Sequence, residues 1–509
     1  MKITGVILFL AVSLSWLPAQ TNGPSVRPLS LQDCFTEALK HNLDVQIEQT
    51  APEISLYNLR SAYGGYDPIF SLSGEHQYND SGSVFQNGQH IAGSEYNEQL
   101  YSSDLSGGTP WGMTYDLGGN VSRTTGKNYE AGGSDGAGAP AFTYVPFQNS
   151  SGQVGALTLT QPLLKNFWID DTRLTIRINK NRLKFSEQGL REQIITTVTA
   201  VENAYYELIF ARENVNVEQE ALVLAQTQLD QDKQRVEVGS LAPLDVQQDQ
   251  AQVAQSQANL IAAQNTLSVD QNALKNLLTD DYTAWHGVEI QPTATLTAQQ
   301  QLFDVQDSWN KGMTERPDLL QARLNVEEQG IQLKYYRNQL FPEVDLIGSY
   351  GYNGAGQEFS DTFNQFAAAD RPFYSYGVQL SMPLSNIGPR NQFKSGKVTE
   401  KQLLLQLKQL EQNVMVDIDN AVEAAKADWE SVDATRQART YAEAALDAEQ
   451  KKYAVGKSTT FTVLQLQNNL TSARSQEIRA LANYNQALAN LAAAEGSSLQ
   501  RDKLDLDAK

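Results

Sequence analysis

The sequence predicts a mixed α and β chain in which two blocks of β-strand are each followed by a long antiparallel helical hairpin. Three observations predict it. Hydrophobic residues recur every three or four positions, or at heptad intervals, through residues 172–278 and again through 391–495. Apolar and polar residues alternate through parts of 66–164 and 341–384. Short stretches of the first half also match stretches of the second half at nearly one offset.

The composition narrows the function classes. The chain has 509 residues, a formal net charge of -20 and 41% hydrophobic residues, with a mean hydropathy of -0.42. Length alone would suggest roughly three domains. The acidity argues against a nucleic-acid partner, which requires Lys and Arg facing phosphate. A single Cys excludes both a disulfide framework and a Cys-based zinc site. Four His leave little material for imidazole chemistry. No nucleophile, dyad or metal set is recognisable, so a secreted enzyme is disfavoured and no cofactor is expected.

The first element is an export signal over residues 1–19. Met1–Lys2 supplies positive charge, Ile3–Leu17 is apolar but short, and Pro18–Ala19 ends on a small residue, placing cleavage after Ala19. Residues 29–63 then read as a helix, with Leu31, Phe35, Ala38, Leu39 and Leu43 at helical spacing and Cys34 on its buried face. Residues 66–164 are rich in Gly, Ser, Asn and Tyr, and Ala131–Pro140 reads as a Gly-rich loop.

Residues 172–237 contain no Pro and only one Gly. Leu183, Leu190, Ile194, Val198, Val201, Tyr205 and Leu208 mark the apolar stripe of a helix that would run about 100 Å. Gly239–Pro243 interrupts it. A second helix to Leu278 carries the heptad series Val246, Val253, Leu260, Leu267 and Leu274, with Gln250, Gln257, Gln264 and Gln271 as a parallel polar stripe. Helices joined by so short a turn lie antiparallel, which makes 172–278 a hairpin. Residues 279–316, with Trp285 and Pro292, read as a small packing region, and Pro317–Leu340 as a shorter helix.

The plan then recurs. Residues 341–384 are Gly- and Tyr-rich, and 391–455 form a helix carrying Leu403, Leu407, Leu410, Val414, Ile418, Ala421 and Ala425. Gly456 breaks it, and 460–495 return with Leu466, Ala473, Ala480, Ala487 and Ala494, mostly small residues that allow close helix approach. Residues 497–509 are expected to be a tail. Val238–Val246 superposes on Val455–Val463, and Leu157–Leu163 on Val378–Leu384. The chain thus divides into a first repeat, 20–278, and a second, 317–496, with 279–316 between them.

The strands point to a membrane. Tyr374, Tyr376, Val378, Leu380 and Met382 alternate with Ser375, Gly377, Gln379 and Ser381. Val344, Leu346, Tyr350 and Tyr352, with Leu157, Leu159, Phe70 and Leu72, continue the pattern. One apolar face over about nine to eleven residues suits a transmembrane barrel strand. A soluble sheet with one wet face alternates identically, but the export signal and the long helices favour the membrane. About four strands per chain cannot close a pore, so the reading requires association with further copies. Residues 96–121 are either an extra hairpin above the membrane or two further barrel strands. His76 and His90 fall in a stretch read as loop without further ligands, His286 lies beside Trp285, and Gly351–Gly356 reads as an extracellular turn.

In combination these features resemble the TolC-like outer-membrane efflux proteins. Leu29–Asn42 is similar to the opening helix of that family, and Gln161–Leu164 and Met382–Leu384 to its strand-to-helix junctions. Val238–Gly239 and Val455–Gly456 resemble its two periplasmic turns, and Tyr484–Gly496 its closing helix. The resemblance implies a non-enzymatic homotrimer. Its strands would form one shared outer-membrane β-barrel set in outer-membrane lipid, continued by a coiled-coil tunnel across the periplasm. It also implies a periplasmic adaptor (membrane fusion) protein and an inner-membrane pump, with export of small molecules or proteins by efflux or type I secretion.

Adaptor docking would then fall on Gly239, Ser240, Leu241, Gly456, Lys457 and Ser458. The candidate gate is Asp245, Lys457, Thr462 and Gln465, with Asp245 and Lys457 as an ion pair. Thr462 and Gln465 stand where well-known members carry an acidic ring, so this sequence departs from the family there. A surface-exposed structural or adhesive trimer with coiled-coil stalks is the alternative; matched hairpins that return twice favour the channel. The net charge of -20 makes cation preference the natural expectation for a water-filled conduit.

Overall fold

A computed structural model describes residues 25–504 apart from 83, 87, 88, 92 and 135–139. The export signal expected at 1–19 and the last five residues of the expected tail lie outside the described residues. The chain opens with strand β1 (Ser25–Leu29) and helices α1 (Leu31–His41) and α2 (Leu43–Ala62). Strands β2 (Ile69–Asp80), β3 (Val84–Gln86), β4 (Gln89–Ile91), β5 (Glu95–Gly108), β6 (Thr114–Ser134) and β7 (Pro140–Pro162) follow. Helix α3 (Asp171–Glu237) turns into α4 (Pro243–Leu278), then come α5 (Tyr282–Trp285), β8 (Val288–Pro292), α6 (Val305–Glu315) and α7 (Pro317–Asn338). The second half continues as β9 (Glu343–Gly356), α8 (Phe359–Ala368), β10 (Pro372–Ser381), α9 (Ile387–Ala454), α10 (Thr460–Glu495) and α11 (Ser498–Arg501).

Two compact units emerge, each drawing on both repeats. Among the described residues, one comprises 25–46, 193–312 and 416–504, and the other the described parts of 47–192 and 313–415.

The core of the first unit is built on the expected stripes. Ile194, Val198, Val201, Tyr205 and Leu208 are buried on α3, and Leu260 and Leu274 on α4. Ala473, Ala480 and Ala487 are buried on α10, and Ile418 and Ala425 on α9; Val414, buried on the same helix, falls in the second unit. Gln250, Gln257 and Gln264 are exposed. The opening helix departs from the single span 29–63. Asn42 splits it, because its side chain Nδ2 donates to the Leu277 carbonyl (3.1 Å) and its Oδ1 accepts from the Val45 amide (3.1 Å). Leu29 belongs to β1, and Ser30 caps α1 in a reciprocal pair with Asp33. β1 pairs in parallel with β8, from Ser25 opposite Val288 to Leu29 opposite Pro292. Tyr205 closes that join: its hydroxyl donates to the Leu29 carbonyl (3.0 Å) and accepts from the Ala294 amide (3.2 Å). The segment expected as a tail packs through 504, with Leu499 buried and Arg501 paired to Glu202.

The second unit holds one antiparallel sheet in the order β10-β9-β7-β6-β5-β2. Six strands therefore replace the four expected. The hairpin left open at 96–121 joins this sheet in unbroken register, with Ile69 opposite Ser106 and Ser106 opposite Asp116. Two readings are corrected here. His76 lies in β2, and His90 has its backbone in β4, so neither falls in a loop. Gly351–Gly356 is the end of β9 rather than a turn, since Asn353 pairs with Gln153. α8 was not foreseen; a ten-residue helix inside a Gly/Tyr-rich block gives little periodicity to read.

The repeat is visible in the backbone at the strand-to-helix junctions. Asn166 and Asn386, four and three residues after Pro162 and Pro383, both take positive φ (65° and 46°). Asn is a residue type that tolerates this conformation. No described helix is long and apolar enough to cross a membrane.

The Tyr205 hydroxyl ties three segments of the chain in a buried position. Tyr205→Phe should lower stability by about 1–3 kcal/mol through the unmade bonds, read as a lower midpoint in thermal or denaturant unfolding, with secondary structure retained.

Candidate functional site at the hairpin turns

The two long hairpins reverse at equivalent glycines. α3 ends at Glu237 and Gly239 takes φ 78°; α9 ends at Ala454 and Gly456 takes φ 74°. In each turn the next residue's amide reaches back to a carbonyl five residues earlier: Ser240 to Arg235 (2.8 Å) and Lys457 to Lys452 (2.9 Å). The glycine amides bond to Val236 and Tyr453 (both 3.0 Å). This double bond pattern closes a helix with a left-handed residue. A Cβ at either glycine would meet nothing within 4 Å, so the requirement is on the backbone, not on space. α4 then starts on Pro243, which needs no amide partner, and α10 starts on the side-chain cap of Thr459.

The expected docking residues sit at these turns. Ser240 and Lys457 are exposed, while Leu241 and Ser458 are half-buried. Ser240 Oγ donates to the Arg235 carbonyl (2.9 Å), and Ser458 Oγ to Glu449 (2.6 Å). The Lys452 ammonium and the Ser458 hydroxyl hold the Glu449 carboxyl below its usual range. Of the candidate gate, Asp245 lies in the first turn of α4 and Thr462 in the first turn of α10, its hydroxyl 3.0 Å from that of Thr459. Gln465 is exposed. No ion pair joins Asp245 to Lys457 among the described residues of this chain.

The strongest polar contacts near the turns belong to residues that the sequence reading missed. Asp232 on α3 is fully buried and accepts from Gln228 Nε2 (2.8 Å), from the Tyr453 hydroxyl of α9 (2.7 Å) and from the Thr460 hydroxyl of α10 (3.3 Å). Arg235 Nη1 lies 3.8 Å from the same carboxylate, and its guanidinium stacks 4.3 Å from the Tyr453 ring centroid. Asp249 on α4 is also fully buried, and no amide, hydroxyl or cationic group donates to either of its carboxyl oxygens. Beneath them Leu446, Tyr453, Val463 and Leu470 form an apolar cluster with Leu224 and Leu466 packed against it.

Burial is the first cause that pushes the Asp249 carboxyl up, to about 7; the Asp232 charge and a bond to it come next, then Asp245. Burial likewise pushes the Tyr453 hydroxyl up to about 12, and its donation to Asp232 adds to this. A readable signal did exist: Leu222, Ala225, Leu229 and Asp232 are buried at steps of three and four, so Asp232 occupies a core position of the stripe. Among the described residues no group of three or more His, Cys, Asp or Glu is placed to hold a metal.

The sequence profile described as "Outer membrane efflux protein" matches residues 117–279 and 309–497. The chain belongs to the outer-membrane efflux protein family. The outer membrane protein TolC of Escherichia coli (strain K12) is 25% identical over 317 residues, 61% of this chain and 64% of that protein's own length, slightly under two thirds. The pyoverdine export outer membrane protein OpmQ of Pseudomonas aeruginosa is 24% identical over 335 residues, 64% of this chain and 67% of that protein. Solved channels share the fold. The CmeC outer membrane channel of Campylobacter jejuni superposes with a TM-score of 0.65 at 14% identity, covering 94% of this chain and 90% of its own. The outer membrane protein VceC of Vibrio cholerae gives 0.65 at 18% identity, over 92% and 96%. This efflux-family chain is accordingly an outer-membrane protein whose helices extend into the periplasm, with the mixed α and β fold of the known channels.

Two predictions follow from the turns. An L-residue at the left-handed position costs about 1–2 kcal/mol, so Gly239→Ala and Gly456→Ala should each speed amide exchange in the last turn of α3 or α9, and Gly→Asn should do so less. For Asp249 the sign is fixed by its raised pKa: the folded form holds a proton that the unfolded carboxyl, near 3.8, has lost. Stability at the turns is greatest below pH 4 on this account and falls as pH rises to about 7. The protection factors of α3 and α4 amides near the turn, taken relative to unstructured-peptide exchange at the same pH, should therefore be higher at pH 5 than at pH 8, and Asp249→Asn should flatten the difference.

Proposed function

We propose that this chain is one subunit of a homotrimeric outer-membrane channel-tunnel that exports small molecules or proteins. The observation that carries the proposal is the open sheet with a bare apolar face. Tyr376 is 84% exposed and Leu380 68% on that face, and the two outer strands, β2 and β10, each have one neighbour. In hydrocarbon an open edge strands its amides, so the edges must pair with further copies. Six strands from each of three protomers would make a barrel of eighteen, a size that leaves an aqueous channel.

The opposite face supports this reading. Ser73 faces Ser102 (2.8 Å), Ser122 faces Ser151 (3.3 Å) and Ser349 faces Ser375 (2.6 Å), a polar lining for a lumen. The hairpins would continue the conduit as a coiled-coil tunnel. The turns at Gly239, Ser240, Leu241, Gly456, Lys457 and Ser458 would dock a periplasmic adaptor, and an inner-membrane pump would supply the energy. The gate would lie at Asp245, Lys457, Thr462 and Gln465. Because Asp245 and Lys457 are not joined within one chain, their pairing would run between neighbouring protomers. The acidic balance favours cations in transit.

Planar-bilayer recording on the purified protein tests the proposal. The expected result is discrete cation-preferring channels from a heat-modifiable oligomer three chains in mass, with closed-state conductance raised by Asp245→Ala or Lys457→Ala. A monomer without conductance would overturn the channel, and unchanged conductance in both variants would remove the gate.

A further inference from the structure

Helix α8 lies on the apolar face of the sheet, at the end away from the strand-to-helix junctions. The Thr362 hydroxyl is buried against that of Ser150 (2.8 Å), and the Gln365 side chain accepts from the Ala355 amide (2.8 Å). Phe359 meets Tyr101 with ring centroids 6.0 Å apart. Asp361 is used up within the helix start, accepting from the Gln357 and Glu358 amides (both 3.1 Å). The helix does not seal against the strands. Between them runs a groove of about 570 Å³ lined by Leu72, Leu117, Val121, Val154, Phe363 and Phe366. That volume is ample for a small ligand. Phe363 is 54% exposed at its rim.

One cation stands beside the groove. Arg123 follows Val121 by one alternation on β6, and its guanidinium lies 6.0 Å from the Phe359 ring centroid. Its Nε is buried with no hydrogen-bond partner, and no ion pair holds it among the described residues. A buried guanidinium NH without an acceptor is costly, so the site has a place for an anion.

The groove is continuous with the bare apolar stripe that meets lipid in the proposed channel, and the inference rests on that reading. The helices occupy the periplasmic side, so the end that carries α8 faces outward, at the level of the outer leaflet. An amphipathic helix with Phe on one side and polar residues on the other is suited to that boundary. We propose that this groove holds an acyl chain of the phosphorylated glycolipid of the outer leaflet, with Arg123 taking its phosphate. α8 thereby acts as a collar that fixes a lipid to the barrel wall.

Native mass spectrometry of the full-length assembly with added lipid A tests this. Wild type should keep lipid A through delipidation in preference to phosphatidylethanolamine. Phe363→Ala, at an exposed position that leaves the strands intact, should cut retention about tenfold. Arg123→Gln should abolish the preference for phosphorylated over dephosphorylated lipid A. Retention no better than for phosphatidylethanolamine, or unaltered retention in both variants, would overturn the site. The same preparation in planar bilayers separates the two claims. Conductance without bound lipid A sinks the groove and leaves the channel; bound lipid A without conductance does the reverse.

Discussion

An amide in hydrocarbon has no water to bond, and much of the sheet-bearing unit follows from that. In the proposed channel every strand would find a neighbour on both sides, which the six strands of one chain do not supply. The alternation of Tyr374, Tyr376, Val378 and Leu380 with Ser375, Gly377 and Gln379 gives the sheet one apolar and one polar face, which the proposed channel would turn toward lipid and water. The negative mean hydropathy is then no obstacle to membrane residence, because in such a barrel only alternate residues of a minority of the chain would touch hydrocarbon.

The helical unit obeys the same demand by different means. Around the turns the buried polar groups are drawn into one network spanning α3, α9 and α10 through Asp232, Tyr453 and Thr460. Asp249 is the exception: no amide, hydroxyl or cation donates to either oxygen, and its polar neighbour is the Asp232 carboxyl. A network with one unsatisfied member holds the hairpins in a single arrangement less firmly than a complete one would. In the proposed channel, hairpins that part at their tips to open would draw on such a weakness close to the turns.

Most of the helices were legible because long stripes leave redundant signals. The ends at Glu237, Ala454 and Glu495 come from Gly, whose effect is local. The split at Asn42 was not legible, since it depends on the Leu277 carbonyl far along the chain. Nor was the strand count. Alternation shows that Leu100–Leu105 can be a strand, but only its register against Ile69–Asp80 shows which sheet it joins. At the candidate site the turns themselves were plain from Gly239 and Gly456. The carboxylates were less plain: Asp232 continues the stripe of Leu222, Ala225 and Leu229, but Asp249 looks like a surface residue until its neighbours are in place. The comparisons supply the family and the membrane, while Asp245, Lys457, Thr462 and Gln465 remain proposals.

The pairing of β1 with β8 carries a consequence for how the protein is made. Ser25 lies opposite Val288, so the first strand waits for a partner 263 residues later. A chain delivered N-terminus first cannot form this pair until more than half of it has crossed into the periplasm. Contacts of such high sequence separation form slowly. The early segment must meanwhile stay extended and shielded, and the Tyr205 hydroxyl can take up both of its bonds only once Ala294 has arrived. Two short strands thus time the maturation of the helical half, postponing it until the material for the second hairpin is already on its way.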